Sequence, residues 1–414
     1  MTRQHGFLRK CLFAASAALV ALLLPAAADA AIFKLLHAFN PKLYGRIPQG
    51  VVIEDENGNL YGTTSHKEVI DGHWQYGTIY KLAPDRSISL LYTFRGGNDG
   101  AYPFGSLVRD SDGNLYGVTL QGGAGNGPQG FGTVFKLAPD GTETVLYVFK
   151  GISGGDGASP NSLILSNGSL YGTTASGGIN CFSGCGTVFK LAPDGTETIL
   201  YAFRGGIDGN GPDTAPIVDE AGNIYGATFQ GGGTGCGGPG CGILFKIAPR
   251  GRETVLHVFA GKRHDGANPT SLIADQAGNF YGTTAYGGAA RKYGNGWGTI
   301  FELSADGTET ILHDFRNDEG PFPNGLILDG AGNLYGTTYQ GGDGSCGFSD
   351  GCGTVFKFAQ GTLSQLHRFV GNGDGARPNG IIEDAAGNLL GTTQFGGNVN
   401  LDRLGYGAVF ELTP

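Results

Sequence analysis

Past residue 30 the chain alternates short apolar runs with short polar turns, and the alternation repeats. Residues 106–149 hold one complete round. Ser106 to Arg109 is a first strand-like run, and Asp110-Ser111-Asp112-Gly113 turns the chain. Asn114 to Thr119 is a second run, Thr133 to Ala138 a third and Glu143 to Phe149 a fourth. Val, Ile, Leu, Phe, Tyr and Thr fill the runs, and Gly, Asp and Pro fill the turns, which is the composition of short β-strands. Pro139-Asp140-Gly141 suits a tight turn, because proline presets φ and glycine accepts positive φ. No later segment carries a helical period. We name the four strands a, b, c and d.

The heptapeptide Gly-Asn-Leu-Tyr-Gly-Thr-Thr at 58–64 marks strand b. Its fourth residue, Tyr61, recurs as Tyr116, Tyr171, Tyr225, Tyr281, Tyr335 and Leu390. Seven copies at a near-constant period predict one supersecondary unit repeated seven times. Ile32 to Phe39 matches strand d, whereas Gly407 to Pro414 matches strand c and stops there. The first residues therefore supply the strand that the last unit lacks. Such complementary ends close a ring and remove a free sheet edge. The expectation is an all-β, seven-bladed β-propeller of four-stranded blades, with a toward the channel and d at the rim.

Gly-Asn-Leu-Tyr-Gly-Thr-Thr, Gly-Thr-Val-Phe-Lys-Leu-Ala-Pro-Asp-Gly-Thr and Asp-Gly-Ala-x-Pro resemble the Gloeo/Verruco tandem repeats, or GloVer repeats, of secreted bacterial proteins. The resemblance spans nearly all of residues 32–414. It implies a propeller-like secreted protein and no particular activity. Members of that family carry varied C-terminal anchors; this chain ends on strand c at Pro414, which favours a soluble periplasmic or released protein.

Residues 1–30 read as a secretory signal peptide: Arg3, Arg9 and Lys10, an apolar run from Leu12 to Leu24, and Ala28-Asp29-Ala30 as the cleavage site. Residues 31–414 then form a single propeller domain. The net charge of −9 becomes more acidic once the leader leaves, which argues against nucleic acid and anionic membrane surfaces as partners, and the lack of a second apolar segment of spanning length predicts no membrane insertion after cleavage. With 40% hydrophobic residues, the 78 glycines signal tight turns, not disorder. Three local cysteine pairs, Cys181/Cys185, Cys236/Cys241 and Cys346/Cys352, fall in the b–c loops of the third, fourth and sixth blades. Even number, local pairing and a leader predict disulfides within each loop. A four-cysteine zinc site would need pairs from different blades.

The residue just before strand c is cysteine in those three blades and Tyr76, Phe131, Trp297 or Tyr406 in the others. A bridge and a ring are alternative pins for a glycine-rich loop. His37, His257, His313 and His367 share one strand-d position with Tyr92, Tyr147 and Tyr201, so that position wants a ring with a polar tip and predicts no metal set. Asp99, Asp156, Asp265 and Asp374, with Glu319, recur in the d–a loop, where a carboxylate fixes a turn by accepting backbone N–H groups. No cofactor is predicted; calcium is the one ion those carboxylates suggest.

Function is sought where the blades differ. The b–c loops Ser65 to Tyr76, Ala289 to Trp297 and Asn398 to Tyr406 are the odd ones, in the first, fifth and seventh blades. His66, His73, Trp74, Arg291, Trp297, Asp402 and Arg403 are the ligand-binding candidates, because aromatic rings stack on sugars and these polar groups bond hydroxyls or carboxylates. The leading expectation is an extracytoplasmic binding module for an extracellular glycan or protein. One alternative is a polysaccharide-acting hydrolase or lyase using His66, Glu68, Asp71 and His73. The other is a structural envelope protein.

Overall fold

The computed structural model describes residues 31–70, 73–124, 129–178, 181, 184–261, 265–288, 296–342, 348–371, 373–397 and 404–414, with the backbone alone for 67–70 and 73–74. Residues 31–414 form one compact unit. The proposed leader lies outside the described residues.

Seven antiparallel sheets follow one another along the chain. The second blade is typical: Ala101–Arg109, Leu115–Gln121, Thr133–Leu137 and Glu143–Val148 pair in order. The seventh consists of Ala376–Glu383, Leu389–Phe395 and Ala408–Thr413, completed by Ile32–Ala38 in antiparallel register from Ile32↔Thr413 to Ala38↔Ala408. Lys34 and Glu411 pair at 3.0 Å across that seam. The chain is a seven-bladed β-propeller closed by its N-terminal strand.

The repeated motifs have mechanical reasons. In strand b, Gly117 lies opposite Phe135 of strand c, and a Cβ there would come within 2.5 Å of the ring. The same strand-c ring then meets the previous blade edge-on. Phe94 packs on Phe135, Phe149 on Phe189 and Phe259 on Phe301, with centroids 5.1–5.2 Å apart. Phe39 closes the series on Tyr80 at 5.0 Å. Each such pair adds about 0.5–1.5 kcal/mol beyond its area. The Asp-x-x-Gly-Asn-x-Tyr turn is also closed by side chains. Asp110 accepts from the Asn114 amide and side chain and from the Tyr116 hydroxyl, at 2.7–2.9 Å.

Three details differ from expectation. The inner strand is divided in the first blade (Arg46–Pro48, Ile53–Glu54) and the fourth (Asn210–Pro212, Ile217–Val218). Elsewhere strands a and b slip register after the proline, as between Pro160 and Ser162. The division is that bulge grown longer. In the fourth blade the Thr214 hydroxyl accepts the Ala227 amide in place of a ladder bond. Secondly, one helical turn, Gly151–Gly154, occupies a d–a loop. Thirdly, Ser65 to Tyr76 is largely a hairpin and not an irregular loop. Strand b of the first blade runs Leu60–Ile70 and returns as His73–Gln75. Asp71-Gly72 between them is a two-residue hairpin signal.

Candidate functional site

Blade junctions meet on the loop face through one recurring hydrogen bond. The residue before strand c offers its carbonyl to the amide of the x residue in the next blade's Gly-Ala-x-Pro segment or its equivalent. Tyr102 donates to Tyr76 at 2.8 Å, Ser159 to Phe131 at 2.8 Å, Asn268 to Cys241 at 2.7 Å, Phe322 to Trp297 at 3.3 Å and Arg377 to Cys352 at 2.6 Å. Gly211 and Ile47 complete the series on Cys185 and Tyr406. Every x residue sits in the left-handed region, with φ between 53° and 64°. Six of the seven carry side chains, and such a conformation costs on the order of 1–3 kcal/mol each. The strained backbone sets six different side chains around the channel mouth, and a glycine at the seventh place.

The pin position is thereby explained. The Cys181–Cys185 and Cys236–Cys241 bridges lie against Gly205 and Gly261 of the d–a loops, and the Phe131 ring lies against the matching Gly151. Phe131 stays 46% exposed, so it pins by covering that glycine and not by burial. Cys352 is buried and disulfide-bonded; its expected partner Cys346 lies outside the described residues.

On this face the x residues and the ends of strand b form an arc of half-buried aromatics running from the fifth blade through the closure to the second. Tyr286 meets Phe322 edge-on at 5.0 Å. Arg377 lies over Phe348 at 3.9 Å and Tyr339 at 4.9 Å. His66 tilts against Tyr102 at 4.9 Å, and Tyr76 meets that ring edge-on. Ser65 Oγ holds His66 Nδ1 at 2.7 Å, and burial followed by the Arg46 charge lowers the imidazole's pKa. A cavity of about 320 Å³ opens at the fifth-blade end, lined by Phe229, Gln230, Pro239, Asn268 and Tyr286. The x residues were missed from the sequence; their signal was variability inside an otherwise uniform segment.

Of the sequence candidates, His66 lies in this arc. Trp297 is half-buried and packs on the cluster around Phe315 and Leu326. His73 and Trp74 lie on the returning hairpin strand, their side chains outside the described residues, as are Arg291, Asp402 and Arg403.

Below the mouth, post-proline side chains bridge the inner strands. Asn161 donates to Pro212 O at 2.9 Å, Thr270 to Pro323 O at 2.7 Å and Asn379 to Pro48 O at 2.9 Å. Asp213, at the same position, accepts from Asn161 at 3.0 Å. It is open to water yet walled by protein; that desolvation raises its pKa against the Asn161 bond.

At the rim the strand-d ring meets the d–a carboxylate. Tyr147 donates to Asp156 at 2.7 Å, and His367 pairs with Asp374 at 3.1 Å. The carboxylates also accept backbone amides, as Asp156 does from Lys150 at 2.8 Å. The turn and ring roles expected from sequence are therefore present. One junction also brings together His257, Asp265 and Glu309, a set able to coordinate a metal.

Uniform blades, an end-to-end seam and channel-mouth loops define a tandem-repeat propeller. The Gloeobacter/Verrucomicrobia repeat matches residues 25–239 and 236–414, and the chain belongs to that family. The bridges and the family membership make it an extracytoplasmic bacterial repeat protein. No curated protein matches it in sequence. Among solved structures it is similar to an extracellular domain from B. thetaiotaomicron, described in one structure as part of a one-component system and in another as part of a hybrid two-component system. Both are 14% identical and cover 91% of this chain, with TM-scores of 0.54 and 0.55. The chain spans about 40% of their length. A gluconolactonase from Xanthomonas campestris is 14% identical, with a TM-score of 0.41, over 74% of this chain and 86% of its own. These likenesses concern the fold alone. Among the described residues no helix is long and apolar enough to cross a membrane.

Proposed function

We propose that the protein is an extracytoplasmic binding module whose loop face takes a glycan. The observation that carries this is the aromatic arc, in which half-buried rings alternate with His66, Gln394 and Arg377 around strained backbone. Flat rings with adjacent donors and acceptors suit sugar faces and hydroxyls. Likeness to an extracellular domain is in keeping with recognition outside the cell. Export rests on residues 1–30, with cleavage after Ala30; N-terminal sequencing of the exported protein tests that step.

The test of binding is tryptophan fluorescence during titration with bacterial and plant polysaccharides, using wild type, Trp74→Ala and Tyr102→Ala, with folding checked by circular dichroism. Saturable quenching whose midpoint moves to higher polysaccharide concentration in both variants supports the reading. Equal binding by wild type and Tyr102→Ala removes the arc from the site, equal binding by Trp74→Ala removes the hairpin strand, and capture of a protein with no glycan response favours a protein ligand.

A second reading, an enzyme acting on an extracellular polymer, draws on His257, Asp265 and Glu309 as a metal-holding set. Calcium prefers six to eight oxygens, and this set offers one nitrogen beside its carboxylates, so calcium suits it poorly.

A further inference from the structure

The rim carries two kinds of junction. Where strand d presents tyrosine, the next blade begins its own strand d with a glutamate: Tyr92 with Glu143, Tyr147 with Glu197, Tyr201 with Glu253. Where strand d presents histidine, the matching residue is usually apolar: Ile88 for His37, Leu363 for His313 and Phe33 for His367. Phe33 stacks on His367 at 4.0 Å. His257 departs from this rule, since its partner position holds Glu309.

The departure gathers unpaired polar atoms of three residues at one junction. At the tyrosine junctions the phenol closes on the loop carboxylate, as Tyr147 does on Asp156 at 2.7 Å. His313 and His367 close on theirs at 3.0 and 3.1 Å. His257 Nε2 stands 3.6 Å from Asp265 Oδ1, beyond a hydrogen bond. Among the described residues, His257 Nε2, Asp265 Oδ1 and Glu309 Oε1 are all shut from solvent without a hydrogen-bond partner; the matching Glu143, Glu197 and Glu253 Oε1 are unpaired as well, so what is particular to this junction is an unpaired imidazole nitrogen and an unpaired loop-carboxylate oxygen beside the glutamate. One donor atom from each of the three residues lies within 4.8 Å of the others. The Ala260 amide holds Asp265 Oδ2 at 2.7 Å, which fixes the carboxylate and leaves Oδ1 for the site. Buried lone pairs without donors are costly, and a cation at their common centre satisfies all three at once.

We propose that His257, Asp265 and Glu309 bind one divalent transition-metal ion, of the zinc class, at the rim between the fourth and fifth blades. One imidazole nitrogen and two carboxylate oxygens match the ligands zinc accepts, with a solvent molecule as the fourth. The ion clamps strand d of one blade to strand d of the next.

The repeat supplies its own controls. His257→Tyr copies the neighbouring tyrosine junctions, and Glu309→Leu copies the junction at His313, so both changes reproduce arrangements this fold already holds. Chelator-treated residues 31–414 and both variants, checked by circular dichroism, are titrated with zinc chloride and with calcium chloride by calorimetry at pH 7.5. Thermal unfolding is followed with and without each ion. The expected result is one zinc equivalent bound by wild type, a zinc-dependent rise in its melting temperature, and loss of both in the two variants. Absence of saturable zinc binding in wild type, or its retention in both variants, overturns the proposal. Calcium binding as tight as zinc overturns the choice of ion.

Discussion

The amide of Asn268 donates to the carbonyl of Cys241 at 2.7 Å, across the junction between the fourth and fifth blades. Cys241 is held by its bridge to Cys236, and Asn268 is held in left-handed backbone with φ of 58°. A covalent pin on one blade thus presents an acceptor to a strained donor on the next. At the fifth–sixth junction Trp297 and Phe322 repeat the relation without sulfur. The bridge is therefore one of several ways to hold the same carbonyl. Reducing it in Cys236→Ser is expected to loosen the local loop and to lower the melting temperature only modestly. Peptide mapping of the wild type should recover Cys236–Cys241 as a bridge, and hydrogen exchange should show the variant's faster exchange confined to that loop. Global unfolding in the variant would contradict this.

Tyr80 replaces the phenylalanine that six other blades place opposite the strand-b glycine. Its ring is fully buried, and its hydroxyl has no partner among the described residues. An unsatisfied buried hydroxyl costs roughly 1–3 kcal/mol. Tyr80→Phe is expected to stabilise the protein by about 1 kcal/mol in urea unfolding. A loss of stability would reveal a partner for that hydroxyl.

Glu143 and Glu197 are pushed up to about 7, first by burial and then by the loop carboxylates Asp99 and Asp156. The folded chain then holds protons that the unfolded chain has released between about pH 4.5 and 7. Stability from these groups is greatest at the acid end, falls as pH rises through that window and levels off above it. Glu143→Gln with Glu197→Gln should raise stability at pH 8 by roughly 1 kcal/mol per site after allowance for solvent screening, and flatten this slope. Thermal melts from pH 4.5 to 8 check it; an unchanged slope would remove these carboxyls as its cause.

Deleting residues 31–39 uncovers the edge of Ala408–Thr413 and removes Phe39 from its contact with Tyr80. The truncated protein is expected to melt lower and to aggregate. Light scattering during a thermal ramp measures both, and unchanged behaviour would contradict the structural importance of the seam.

The architecture was legible because the motifs are mechanical. Gly117 exists for Phe135, and Asn114 with Tyr116 exists for Asp110, so each repeat advertises its own packing. The seam was legible because Ile32–Ala38 reads as a strand d without its blade. The channel mouth was less so. The left-handed backbone at Tyr102 or Arg377 comes from a neighbouring blade's carbonyl, which no local propensity encodes. The hairpin that carries His66 could have been read from Asp71-Gly72, but loop length and polarity obscured it. The exceptional His257 appears only when each strand-d ring is compared with its partner on the following blade.

The seam also sets a schedule for folding. Lys34 and Glu411 are 377 positions apart along the chain. At about 5–20 residues per second, synthesis separates them by something on the order of half a minute. Through that interval Phe33 has neither its strand partner Leu412 nor the rings of His367 and Phe410 that it meets. The ring cannot shut early, so the first strand to emerge is among the last to find its place.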